Sequence, residues 1–223
     1  MMSKKVLTHK LSEPLNGATT AMIDIHAGDG NLTIDRLTSD EQILASGTLQ
    51  YLDDQSLPSR SLVLSNGQAA LTLRGGADRR PRFRFPWSAC NGGTDWQIQL
   101  NPAVSSDITA HSDGGNLKLD LAGMVVTRIS ADTGGGNIDV HLPDSMTDLS
   151  VTARTGAGNV SVSIPSGAEA LIHASTGLGK AIVDPRFDKI DRDTYQSSNY
   201  DRAVEKVELT LHSGAGNVIV NSS

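Results

Sequence analysis

Cysteine is almost missing from this chain of 223 residues. Cys90 stands alone, which excludes an intrachain disulfide framework and any multi-cysteine zinc site. Aromatic residues make up only 4%, with two tryptophans, so small aliphatic side chains must fill the interior. Net positive charge is missing too: at −6, the chain has no global basic field to draw it to nucleic acid or anionic lipid. Long apolar runs are absent. Behind Lys4-Lys5 the only apolar stretch is Val6-Leu7, short of the roughly 7–15 residues of a secretory core and the ~18 of a membrane helix. These absences imply a soluble, cytoplasmic chain, touching a membrane indirectly if at all. Helix signals are scarce, the best being the short Ser198–Glu205.

Glycine, by contrast, is abundant at 22 residues, and it is ordered. One phrase recurs six times: Gly28-Asp29-Gly30-Asn31, Asp113-Gly114-Gly115-Asn116, Gly134-Gly135-Gly136-Asn137, Gly156-Ala157-Gly158-Asn159, Gly177-Leu178-Gly179-Lys180 and Gly214-Ala215-Gly216-Asn217. From Asn116 to Lys180 the steps are 21, 22 and 21 residues. The gap from Asn31 to Asn116 is 85, close to four periods without a visible signature, and an insertion stretches the last gap to 37. Glycine suits a tight corner with positive φ, and asparagine is the next best residue there.

Around each turn apolar residues alternate with period two, as strands with one face in a core must. Ile23 and Ile25, Ile108 and Ala110, Ile129 and Ala131, Val151 and Ala153, Ile172 and Ala174, and Leu209 and Leu211 are predicted to point inward before the turns. After them come Leu32 and Ile34, Leu117 and Leu119, Ile138 and Val140, Val160 and Val162, and Val218 and Val220. A unit of about 21 residues cannot bury such a face alone, whereas stacked units share one aliphatic spine. An all-β solenoid is therefore the first expectation. An ordinary β-sandwich is the second, since it offers no reason for a fixed period. The expected layout is an N-terminal extension at 1–10 and one domain at 11–223. Its 11–101 part is irregular with an insertion at 77–95, and its 102–223 part is regular with an insertion at 184–206.

These repeats, with Gly47–Tyr51, Trp96–Asn101, Ile164–Gly167, Ser175–Gly179, and Tyr195–Tyr200 leading into Val207–Leu211, resemble the toast-rack domain of LiaF-like proteins. That family is named for cell-wall-active-antibiotic responses and is related to adhesin-like domains. The resemblance runs from about Leu11 to Val220. It implies a single-stranded, right-handed β-helix-like stack and no established catalytic residues. Many members carry transmembrane helices ahead of the domain and act in envelope-stress signalling; this sequence shows no such helices.

Two features carry candidate chemistry. Five positions before the end of each turn lie His26, His111, Asp132, Arg154, Ser175 and His212, all predicted to face outward. If consecutive units stack in register, His111, Asp132 and Arg154 form a polar stripe at one interstrand spacing, ~4.8 Å. Such a stripe can bind an anion, a metal or a glycan, but a solvated face is the simpler reading. His26 and His212 fall on distant repeats, so no metal site is assigned. The second feature is an Arg/aromatic patch of Arg79, Arg80, Arg82, Phe83, Arg84, Phe85 and Trp87, able to grip an anionic or protein partner. The preferred reading is an insertion whose phenylalanines cover one end of the stack while its arginines face water.

The carboxylate-rich 184–193 segment lacks the glycine bend and final glutamate of a calcium loop. The glycine turns join strands and open no helix, so they are not a dinucleotide fingerprint. Cys90 has no basic helper beyond Arg84. No cofactor and no catalytic set are expected. The leading functional expectation is a non-enzymatic scaffold or interaction module with a protein partner or self-association through an end rung. The alternative is a β-helix enzyme or binding protein acting on an acidic polysaccharide, with Asp24, Asp120, Asp132 and Asp139 as its outward carboxylates.

Overall fold

The computed structural model describes residues 5–38, 42–75 and 94–223. Among them the regular elements are strands, apart from one 3₁₀ turn at Tyr200–Arg202 where the short helix was expected. The first stretch holds β1 (Val6–Pro14), β2 (Thr20–His26), β3 (Asn31–Arg36), β4 (Ile43–Leu52), β5 (Ser59–Ser65), β6 (Gln68–Arg74) and β7 (Asp95–Leu100). Strand pairs follow: β8 (Ser105–Ser112) with β9 (Leu117–Asp120), β10 (Val126–Thr133) with β11 (Ile138–His141), β12 (Leu149–Ala157) with β13 (Val160–Ile164), and β14 (Glu169–Leu178) with β15 (Ala181–Val183). Short β16 (Asp188–Lys189) and β17 (Thr194–Gln196) precede β18 (Lys206–Ala215) and β19 (Val218–Ser222).

These strands form two mixed sheets, neither of them closed. One runs β1-β4-β7-β3-β9-β11-β13-β19-β15, the other β16-β17-β14-β18-β12-β10-β8-β2-β6-β5. Pairing is parallel throughout both interiors, and antiparallel pairs occur only towards the edges, at β1-β4-β7, β5-β6 and β14-β17-β16. Each glycine turn carries the chain from the second sheet into the first. One rung is thus a strand, a turn and a strand.

The alternation works as the pattern requires. Ile25, Ile108, Ala131, Ala153, Ile172, Leu211, Leu32, Leu119, Val140, Val162 and Val220 are all fully buried, and they belong to one apolar cluster reaching from Leu11 to Val220. At ~25 cal/mol per Å² of apolar surface, this shared spine is the main force holding the rungs together. Trp96 is the largest side chain within it. It is 1% exposed, and its indole N–H donates to the Gln50 carbonyl at 2.9 Å.

Three sequence expectations need correction. Strand β1 begins at Val6, so residues 6–10 belong to a sheet and are not an extension; His9 and Lys10 pair with Leu49 and Thr48 of β4. The gap between Asn31 and Asn116 hides one rung, β6 with β7, and not four periods: β2 pairs with β8 on one side and β6 on the other. The chain leaves β3, builds the end strands β4 and β5, and returns. Lastly, the rungs do not stack in chain order. The final rung, β18 with β19, slots between β12-β13 and β14-β15. The longer gap before Asn217 provides the chain for that crossing, and on the way β17 and β16 cover the outer edge of β14.

Candidate functional site

The turns line up along one edge of the molecule, and their chemistry differs from the corner requirement inferred above. Asn31, Asn116, Asn137, Asn159 and Asn217 have no positive φ; among described non-glycine residues only Asn16, Asn66 and Asp148 do. Their side chains form a ladder. Each Oδ1 accepts the backbone N–H at the same position of the next rung, at 2.8–3.0 Å, ending on Lys180. Lys180 departs from the repeat because β15 is the edge of its sheet and no further rung needs an acceptor. At the other end Asp95 takes the place of asparagine and accepts from Asn31 Nδ2 at 2.9 Å.

The last glycine of each turn answers to close approach. A Cβ on Gly30 would strike the Thr94 carbonyl. One on Gly115 would strike that of Gly30, one on Gly136 that of Gly115, and one on Gly158 that of Gly136. Gly216 and Gly179 continue the column, against Gly158 and Gly216. Positive φ, expected for the turn glycines, occurs at Gly28 (68°) and at the last glycines Gly158, Gly179 and Gly216 (150–154°). Sequence reasoning missed a third column inside the turns. Ser112, Thr133, Thr155, Ser213 and Thr176 donate their hydroxyls to the preceding rung's glycine carbonyls at 2.7–2.9 Å. Its signal was present as a Ser or Thr three residues before each final glycine, broken only by Ala27.

The polar stripe lies beside this edge, on the outer face of the second sheet. His111, Asp132 and Arg154 are register neighbours as expected. His26 is not distant: β2 sets it directly against His111, with Arg74 beyond it. His212 is likewise next to Arg154, with Ser175 beyond. The complete row is Arg74, His26, His111, Asp132, Arg154, His212 and Ser175. Within it Arg74 reaches Asp24 at 2.9 Å and the Ser175 hydroxyl lies 3.0 Å from His212 Nδ1. Asp132 and Arg154 make no ion pair among the described residues.

The two adjacent histidines converge on a residue that the stripe did not include. Their rings meet edge to face with centroids 4.3 Å apart. Nε2 of His26 and Nε2 of His111 lie 3.2 and 3.3 Å from the same Oδ1 of Asp113, in the following turn. Partial burial works against the Asp113 carboxylate. Hydrogen bonds from the two imidazoles, and their charge when protonated, outweigh it and hold the carboxyl below its ordinary value.

The Arg/aromatic patch, Arg79 to Trp87, and Cys90 lie outside the described residues. The described residues on either side of it are Gly75, whose N–H donates to the His26 carbonyl at 2.7 Å, and Thr94, which precedes β7. The 184–193 segment is anchored through Phe187, 4% exposed, and through Asp184, which accepts the Arg186 and Ser222 N–H groups at 2.9 and 3.2 Å. Elsewhere, a cavity of about 310 Å³ is lined by Asp35, Asp120 and Asp144 together with Arg36 and Gln99. Burial raises the Asp35 carboxyl, with the Asp120 charge adding to it against a hydrogen bond from Gln99. No described helix is long and apolar enough to cross a membrane.

Stacked rungs of small aliphatics with an outer polar row define a class of all-β stacked-strand proteins. The chain belongs to the toast-rack family: the model for the N-terminal domain of toast_rack, DUF2154, matches residues 2–163. Its fold is similar to that of a "putative cell adhesion protein" from Clostridium sporogenes, with a TM-score of 0.87 and 20% identity over 98% of this chain and 100% of that one. A "putative adhesin" from Bacteroides fragilis covers 98% of each chain at 10% identity, but its TM-score of 0.35 supports no argument. No curated protein matches the sequence.

Proposed function

We propose that this chain is a non-enzymatic binding or scaffold module, a β-solenoid of the toast-rack kind that presents its turn edge and polar row to a macromolecular partner. The observation that supports this is the row itself: seven side chains in register, spread along one face. The similarity to a protein named for cell adhesion agrees with a binding role. An acidic polysaccharide is a poor occupant of the cavity at Asp35, Asp120 and Asp144, because three carboxylates there repel it.

Self-association through an end rung is the partner reading with structural support. Strand β15 is three residues long and is an open edge, with Ile182 50% and the neighbouring Leu178 75% exposed. Exposed edges with apolar side chains invite pairing with another copy. Light scattering on the full chain across a range of concentrations tests it. Reversible dimers that Ile182→Lys abolishes support the reading; a strict monomer at the highest concentration removes it.

A further inference from the structure

We propose that His26, His111 and Asp113 form a binding site for one divalent transition-metal ion of the zinc class. Three donor atoms, one from each residue, lie within 4.8 Å of one another. A tetrahedral ion with bonds of about 2.0–2.1 Å sets its donors ~3.3–3.4 Å apart. The two nitrogen-to-oxygen separations, 3.2 and 3.3 Å, already have that length. Only the separation between the two nitrogens is left to adjust, by rotation of half-exposed imidazoles.

The donors are held on rigid parts. His26 and His111 occupy opposed register positions of parallel strands, and Asp113 opens a turn whose backbone N–H is bonded to the Gly28 carbonyl. Two imidazoles and one carboxylate suit a borderline ion such as Zn²⁺; Ca²⁺ and Mg²⁺ require oxygen ligands. Local charge favours a cation. Among the described residues, Asp132 follows His111 in the row, and Arg74, beyond His26, is already paired with Asp24. The three side chains are 34%, 38% and 56% exposed, so the fourth position opens to water or to a carboxylate or carbonyl of another molecule. The site does not depend on the scaffold reading, since an ion binds here whether or not a partner does.

The test is titration of the chelator-stripped full chain with Co²⁺ and Zn²⁺. One saturable equivalent is expected, with visible Co²⁺ bands that Zn²⁺ bleaches and that Mg²⁺ and Ca²⁺ leave unchanged. His26→Gln and His111→Gln should each weaken binding by at least about 10-fold. His212→Gln, in the same row but away from Asp113, should bind as the parent does. Amide NMR spectra of each variant report folding independently of metal. No saturable Zn²⁺ binding by the folded parent overturns the proposal. So does parent-like binding by a folded His26→Gln, His111→Gln double variant.

Discussion

The inner rungs and the end built from β1, β4 and β5 solve the same problem by different means. Inner rungs meet a neighbour of their own kind on both sides, so three short-range columns hold them: buried aliphatics, turn asparagines and turn hydroxyls. At the end no further copy exists, and the chain turns antiparallel instead. There a charge joins the two sheets, the Arg60 guanidinium on β5 reaching the Glu13 carboxylate on β1 at 2.6 Å. That carboxyl group is 6% exposed while Arg60 is 56% exposed, so the arginine solvates a group the end has taken out of water. Repetition stabilises the middle; specific pairing finishes the end.

The strongest way to break the inner mechanism is Gly136→Ala. Its Cβ meets backbone on the neighbouring rung, which cannot yield, and a loss of about 3 kcal/mol or more is expected from urea unfolding. Gly135→Ala, with open space around it, should change stability by no more than about 0.5 kcal/mol. Equal effects would show that the column does not govern the stack. At the end, Arg60→Ala strands a buried carboxylate and should cost about 2–3 kcal/mol, read as a shifted denaturation midpoint. A smaller difference sharpens the comparison within the asparagine ladder. Asn137→Ala removes the acceptor for the Asn159 N–H and should cost about 1 kcal/mol, whereas Lys180→Ala, at the ladder's edge, should cost almost nothing.

Much of the middle was legible beforehand because its determinants are local. Every residue that period-two alternation named as inward is buried, although Leu149, Ala170 and Val207 of the same strands went unnamed. The row of His111, Asp132 and Arg154 followed from the spacing alone. The metal cluster was not legible. Its histidines are 85 residues apart in sequence yet adjacent in register, because β4 to β7 are built between them. Asp113 was read only as a turn residue, since nothing in its neighbours told that two imidazoles would converge on it. The asparagines were assigned a backbone role when their work is done by side chains across rungs, a contact visible only after stacking.

By itself the sequence determined the rung: which residues face inward, where the chain turns, and which side chains line the outside. That follows from the two-residue repeat of a strand and from the glycine that close-packed backbones require. Tertiary structure decided the order of the rungs, placing the last between the fifth and sixth and the first between the second and third. The turns are nearly alike, so any rung offers similar contacts to its neighbours. Only the length of the connections, the antiparallel ends and the cover over the β14 edge select one arrangement, and with it the side chains brought together on the surface.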